Sequence, residues 1–452
     1  MKKPPPKPQL RRQPALLLRL FNDPQPVLDE LRAAHGPVVA LGFGPAKMTI
    51  VGGPAEIAAI HARPVDEFRW NHKFNVLAVV VGEKSMITSD GADWSRRRSS
   101  VQSAFSRRRL NGWIPMILEQ ADAAIATVAP EGPETVDLYR TGRAAILEIV
   151  VRAFFGESMG HRAQEFGDLM QAPQDYLELP AWKQVPHPFP LGARGRVRAD
   201  RRAFDDLVRE AMATIRAEPS GDPSDVLEVL VHDDTVDEQE ILDQVNTLVG
   251  AGFDTTAASF AWMLWCAALA PGVWADLRAE ADEVLGPVGA DLSSADHATL
   301  NGLEVAGRVV RETLRLHPAG VISPREAATD IQVGDITIPQ GTLVLWSPHL
   351  AGRDPDVWER PLEFEPDRFI EMTDEQRARC DAAWVPFGGG RRDCLGFALA
   401  QMELTLMIAR FAQRLDVTPP SATKPGPVGM VVNRPQGGVP FLASHRGTET
   451  SP

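Results

Sequence analysis

The chain has 452 residues, about three times the usual domain size, so length alone predicts two or three domains. Its 44% apolar and 24% charged residues exclude a disordered or fibrous protein. Three scattered cysteines (Cys266, Cys380, Cys394) with no CxxC pair exclude a disulfide scaffold and a conventional zinc module, and they point to a reducing compartment. The net charge of −13, from 47 basic and 60 acidic residues, argues against a general nucleic-acid binder.

The chain opens on MKKPPPKPQLRRQPALLLRLF, which is basic and proline-rich and carries only the short apolar run Ala15 to Leu18. That run is shorter than the about 20 residues of a membrane span or the about 7 of a signal-peptide core. The expectation is a flexible segment over 1–29, no membrane span and a cytoplasmic protein. Residues 38–51 read as a hairpin of two short apolar runs around a Gly-Pro turn. A helix starts near Asp93 and runs to about Phe105, and 115–155, 200–217 and 272–286 have helical apolar spacing. Six arginines fall between Arg96 and Arg109.

Thr235 and Glu238 have the spacing of a capping box, and a helical pattern follows to Pro271. About 35 residues at ~1.5 Å each make a helix of about 50 Å. From Asn246 to Ala270 its only charge is Asp254, and Trp262 to Trp265 make it apolar all round. A membrane span is one reading, but a mid-helix carboxylate is costly in lipid. A central buried helix fits better, and Asp254 then needs a reason to be there. Strand-like patches cover Ile331 to Leu345, with turns at Gly334-Asp335 and Gln340-Gly341, and Val428 to Val432. The fold class is mainly α with small antiparallel β-sheets built from distant segments, in one large mixed domain.

The densest chemistry lies in Phe387-Gly-Gly-Gly-Arg-Arg-Asp-Cys394-Leu-Gly396. Consecutive glycines let a backbone approach a flat ligand, because no Cβ intrudes. Cys394 ends this loop where an amphipathic helix begins at Phe397. A helix N-terminus and the adjacent Arg391 and Arg392 bias a thiol toward thiolate. Such a cysteine is a nucleophile, a metal ligand or inert packing.

The segment is similar to the haem-binding signature of the cytochrome P-450 family, F-x-x-G-x-R-x-C-x-G, at Phe387, Gly390, Arg392, Cys394 and Gly396. The resemblance makes Cys394 the axial thiolate ligand of haem iron, with Phe387, Gly388, Arg392 and Gly396 around the haem. Further segments resemble the family in the same order. Glu312-Thr-Leu-Arg315 looks like its E-x-x-R helix, with Arg368 as the downstream arginine of a structural network. Ala251-Gly-Phe-Asp254-Thr255-Thr256 looks like the oxygen-activation segment, which makes Ala251 and Gly252 cofactor neighbours and Asp254 and Thr255 catalytic. Thr255 Oγ can bond the Ala251 carbonyl and loosen the helix, and a hydroxyl backed by a carboxylate can deliver protons. The other reading of Asp254 is a partner for a core arginine. Trp94 and Arg98 look like the family's W-x-x-x-R pair, and Arg325 like a further propionate-binding arginine. Where the family often has histidine before Arg353-Asp354-Pro355, this chain has Gly352, to which the sequence attaches no consequence.

The resemblance covers roughly residues 30 to 440 and replaces the length-based prior with a single domain at 30–445, between the 1–29 segment and a 446–452 tail. It implies haem b, O2 as co-substrate, and insertion of one oxygen atom into a small lipophilic substrate. By family position, 75–81, 248–252, 319–322 and 430–432 line the pocket. Electrons would come from a ferredoxin and its reductase, fed by NAD(P)H. Arg96, Arg97, Arg107, Arg108 and Arg109, with the arginines near Cys394, would form a basic docking patch. A peroxide-driven hydroxylase, an isomerase and a non-catalytic haem carrier or sensor are the alternatives; the acid–alcohol pair argues against the first two.

Overall fold

A computed structural model of the chain describes residues 3–44, 47–72, 75–179, 183–184, 192–219, 221, 223–419, 425–429 and 431–446. Helices α1 (Gln13–Asn22), α2 (Pro24–His35) and α3 (Pro54–His61) each begin with a proline in the first turn, where a missing N–H costs nothing. Between α2 and α3 lies the expected hairpin, β1 (Val38–Leu41) antiparallel to β2 (Met48–Val51). Next come β3 (Phe68–Arg69), α4 (Leu77–Val81), α5 (Gly91–Gln102) and α6 (Arg107–Ala126). The stretch 115–155 is not one helix. Pro130, Gly132 at φ 132° and Pro133 stop it, and β4 (Glu134–Asp137) precedes α7 (Leu138–Phe155).

Beyond α8 (Ala163–Leu177), α9 (Gly192–Ala217) and α10 (Val226–Val231), the long helix α11 spans Glu238–Leu269. Its cap lies two residues later than Thr235. The Asp237 side chain accepts the Glu240 N–H at 2.9 Å and the Glu240 side chain accepts the Asp237 N–H at 3.0 Å. Thr235 instead bonds Asp233. Helices α12 (Val273–Val284), α13 (His297–Gly302) and α14 (Glu304–Leu316) follow. Then come β5 (Ser323–Ala327), β6 (Ile331–Val333), β7 (Ile336–Ile338), β8 (Leu343–Trp346), α15 (Pro348–Ala351), α16 (Asp374–Ala383) and α17 (Phe397–Arg414). The chain closes with β9 (Leu415–Thr418), β10 (Pro427–Val428), β11 (Arg434–Pro435) and β12 (Pro440–His445).

The sheets are small, but the main one is not purely antiparallel. Its order is β1-β2-β8-β5-β3, and β8 runs parallel to β2. Strands β6 and β7 form a separate two-stranded sheet, bridged at Ile336 by Lys3, so the patch at 331–345 divides between two sheets. Most of α11 is buried and packs on α7, α14 and α17. Gly142 permits the α7 contact, since a Cβ there would lie 2.4 Å from the Phe260 ring. Among the described residues no single helix is long and apolar enough to cross a membrane, and α11 and α12 are bent 108° apart.

The opening residues are not a loose leader. Leu16, Leu20, Val27 and Leu28 are buried against β1 and β2, and the Ala40 N–H donates to the Pro6 carbonyl. The boundary expected after residue 29 therefore falls inside α2. Of the 446–452 tail only Arg446 is described, and it pairs with Asp282.

Candidate haem-thiolate site

The cysteine loop owes its path to its glycines. Gly388 and Gly390 sit at φ 76° and 70°, where a side chain is strained. A Cβ on Gly389 would lie 2.6 Å from His61 Nδ1, and one on Gly390 would lie 2.3 Å from the His61 carbonyl oxygen. The bare backbone thus packs against the end of α3. The Cys394 N–H donates to the Phe387 carbonyl at 2.9 Å and closes the loop. Cys394 keeps open surface just before α17, while Phe387 packs edge-on against Phe397.

Burial pushes the Cys394 thiol up, more than the N–H groups of Gly396 and Phe397 and the Arg98 guanidinium pull it down. The expected bias toward thiolate from Arg391 and Arg392 is therefore not present in the protein alone. Arg392 turns away, donating to the Met86 and Ser89 carbonyls and lying over Trp70 and Trp94 at 3.9 and 4.3 Å. A metal cation supplies what such a thiol needs to ionise.

Arg325 is 6% exposed, lies over the Phe68, Trp70 and Trp346 rings, and has no carboxylate partner among the described residues. Among the described residues its Nε has no hydrogen-bond partner, nor do Arg392 Nε and His61 Nε2. Burial lowers Arg325 to about 10 and Arg392 to about 9. Burial, then Arg325, lowers His61 to about 4, so its ring is neutral. Arg392 has Asp90 at 3.4 Å as a weak counter-ion. Buried cations without matching anions are costly, so this corner suits the two carboxylates of a haem. His61 and Trp70 were missed in the sequence, because nothing near them in the chain announces a ligand.

Trp94 is buried beneath Arg392, whereas Arg98 binds the Asp393 carbonyl and carboxylate at 2.8 and 2.6 Å. The W-x-x-x-R pair thus braces the cysteine loop directly. The neighbouring arginines correct the expected docking patch. Arg97 is buried on Glu240 and Ser89, Arg96 holds the same Glu240, and Arg109 donates to the Ser103 and Pro223 carbonyls. Only Arg107 and Arg108 of that set are exposed.

On α11, Ala251 is exposed and Thr255 half-buried, although most residues around them are buried. The Thr255 hydroxyl donates to the Ala251 carbonyl at 2.6 Å, as expected, yet α11 continues unbroken across this turn. Asp254 is 2% exposed and lies against Arg434 of β11, with Nε 3.1 Å from Oδ1 and Nη2 on Oδ2. Arg434 also has Glu178 at 3.6 Å. Asp254 therefore has an arginine partner in the core, 180 residues away. Gly252 has only Val150 and Phe154 side chains near the place of a Cβ, at 3.9 Å.

Glu312 and Arg315, both fully buried, make two bonds of 2.8 Å, and Arg368 reaches Glu312 Oε1 at 2.9 Å. Arg315 also donates to the carbonyls of Gly352, Pro361 and Glu363. Gly352 proves consequential, since a Cβ there would lie 2.3 Å from the Arg315 carbonyl oxygen.

A mainly helical fold with a lone cysteine in a glycine loop, beside buried unmatched arginines, defines a haem-thiolate protein. The family model for cytochrome P450 matches residues 4–439. Cyclooctatin synthase of Streptomyces melanosporofaciens is 31% identical, covering 86% of this chain and 85% of its own. Cyclooctat-9-en-7-ol 5-monooxygenase of the same organism is 28% identical over 86% and 84%. The solved structure of retinoic acid-bound cyanobacterial CYP120A1 matches the fold with a TM-score of 0.84 at 21% identity, covering 98% of this chain and all of that one. The chain belongs to the cytochrome P450 family, and it is a haem-thiolate monooxygenase that draws electrons from redox partners.

Proposed function

We propose that the protein inserts one oxygen atom from O2 into a small lipophilic molecule. Cys394 would hold the iron of haem b through its thiolate, and Trp94, Arg98, Arg325, Phe387, Gly388, Arg392 and Gly396 would line the haem's place. The observation that carries this reading is the pair of buried arginines, Arg325 and Arg392, without full counter-ions beside the cysteine loop. When bound, haem supplies the thiolate-ligated iron that activates O2. The chain's own residues position and protonate. Ala251 and Gly252 leave the α11 surface low over the site, Thr255 presents a hydroxyl there, and Asp254 feeds protons toward it from the Arg434 side. Glu312, Arg315 and Arg368 hold the surrounding backbone.

A lipophilic substrate is supported by the apolar segments 75–81, 248–252, 319–322 and 431–432; Met430 lies outside the described residues. It is also supported by a relative named as a monooxygenase of cyclooctat-9-en-7-ol, an alkenol by its name. A ferredoxin and its NAD(P)H-fed reductase supply electrons in this reading, meeting exposed Arg107, Arg108 and Arg391. The ferric protein, screened against terpenoids, fatty acids, sterols and polyketides, should give substrate-type spectral shifts with one apolar class. Product carrying labelled oxygen from O2 should then appear with ferredoxin, reductase and NAD(P)H. No such product from any ligand that shifts the spectrum would favour a haem carrier or sensor.

A further inference from the structure

Arg194 lies in the first turn of α9 and is half-buried. Its Nε and Nη1 are shut from solvent and have no hydrogen-bond partner among the described residues. Other arginines carry such an orphaned nitrogen, but Arg152, Arg311 and Arg392 each have a carboxylate beside them. Among the described residues Arg194 and Arg325 have none. Arg325 is matched by the haem carboxylates in the proposed site. Arg194 sits on a helix that packs on α4, α8 and α11, so it needs another anion. The chain near it supplies none. From Leu179 to Ala199 there is no acidic residue, while Lys183, Arg194, Arg196 and Arg198 are cationic.

The helix aims this group inward. Arg194, Val197, Arg201 and Phe204 recur at spacings of three and four, which places them on one face of α9. Val197 and Phe204 are fully buried, and Arg201 pairs with Asp243 of α11. Further along α9, Arg209 pairs with Glu238, so the two helices run in opposite senses. The start of α9 therefore leads toward the 248–252 turn of α11. Val197 and Ala193, on either side of Arg194, pack with Val80 and Val81 of α4 and Tyr176 of α8. Segments 75–81 and 248–252 are two of the apolar stretches assigned to the substrate pocket. An unmatched cation is thus placed at the edge of an otherwise apolar cleft.

We propose that Arg194 anchors a carboxylate of the substrate, so that the lipophilic molecule taken by this pocket is a carboxylic acid. The guanidinium holds the charged end through charge-assisted hydrogen bonds, and the apolar body lies along α4 and α11. This deepens the monooxygenase reading and rests on it for the pocket, but the anchor is read by binding and the reaction by turnover.

The test titrates the haem-loaded ferric protein with hexadecanoate and with a tricyclic diterpene acid, each beside its own methyl ester and primary alcohol. The readout is the substrate-type spectral shift. At least one acid should bind about 10–100-fold more tightly than its ester and alcohol, the usual worth of hydrogen bonds to a charged group. Arg194→Met keeps the apolar stem, so it should bring the acid down to the affinity of its ester and leave the ester unchanged. Arg194→Lys should retain part of the preference. Ligand-free Arg194→Met should melt no lower than wild type, because no partner is left behind. Equal binding of acid and ester, a shift with neutral ligands alone, or an acid preference that survives Arg194→Met would overturn the proposal. So would a melting point several degrees lower in the methionine variant, which would reveal a partner inside the protein. Turnover separates the two readings. An acid held through Arg194 that yields no oxygenated product with ferredoxin, reductase and NAD(P)H supports the anchor and removes the monooxygenation. Product from the esters alone, at the same rate in Arg194→Met, supports the reaction and removes the anchor.

Discussion

Arg434 of β11 grips Asp254 of α11 from 180 residues away, with Nε 3.1 Å from Oδ1. The contact ties a short edge strand to the middle of the central helix. Asp254 is 2% exposed, so this guanidinium is its partner in place of water. Arg434→Gln should cost about 3 kcal/mol of stability by leaving a buried carboxylate uncompensated. Arg434→Lys should retain part of that, because one charge remains without the planar fork. Chemical denaturation of the haem-loaded proteins measures both, and equal midpoints for wild type and glutamine variant would contradict the pairing.

Thr255→Ala removes the hydroxyl bonded to the Ala251 carbonyl and leaves the helix intact, since the backbone bonds of α11 continue through this turn. Haem binding, substrate binding and reduction should persist. Product per NAD(P)H should fall while released peroxide rises, because general acid catalysis typically contributes about 10²–10⁴-fold. Asp254→Asn should slow turnover, since the hydroxyl remains and its proton source does not. Coupling equal to wild type in the alanine variant would remove Thr255 from the catalytic set.

Cys394→Ser should preserve the helical fold and abolish the red-shifted ferrous–carbonyl band of a thiolate ligand. A serine hydroxyl is a far poorer metal ligand than a thiolate. Persistence of the band would mean that another residue ligates the iron.

Glu312→Gln should be among the most damaging substitutions in the chain. Arg315 and Arg368 would each keep a buried charge with the shared carboxylate gone. Breaking such a network typically costs about 3–5 kcal/mol. Loss of haem on purification and a melting point several degrees lower are the expected readouts. A variant as stable as wild type would show that the backbone carbonyls around Arg315 suffice.

Arg107→Glu with Arg108→Glu should raise the apparent KM for a ferredoxin and leave the substrate-induced spectral shift unchanged, because exposed charges steer partners. The same reversal at Arg97 should instead destabilise the protein, since that arginine is buried against Glu240. Partner kinetics unchanged in the first variant would place docking elsewhere.

The residues that touch within a few positions were legible in the sequence. The Thr255 to Ala251 bond and the Glu312 to Arg315 pair follow from helical spacing, and both are present. The hairpin at 38–51 followed from two apolar runs joined by a short turn. The capping box slipped by two residues, because Asp237 competes with Thr235 for the same role and makes the better cap with Glu240. The loose start failed for another reason. Prolines and cations describe a segment's own preferences, and the leucines of α1 bury themselves on strands that composition cannot see.

By itself, then, the sequence determined the cysteine loop, the central helix with its acid–alcohol pair, and the Glu312–Arg315 pair, since each is a pattern within one helix or one turn. The tertiary structure alone decided which partner each arginine meets. Arg96, Arg97 and Arg98 are neighbours in the chain, yet the first two close on Glu240 and the third on Asp393. It also decided that β8 joins β2, that His61 stands against the glycines, and that Arg325 has no carboxylate partner among the described residues. The physical reason is that a charge has its meaning from what lies within a few ångströms of it. In this fold those neighbours come from segments 140 to 300 residues apart.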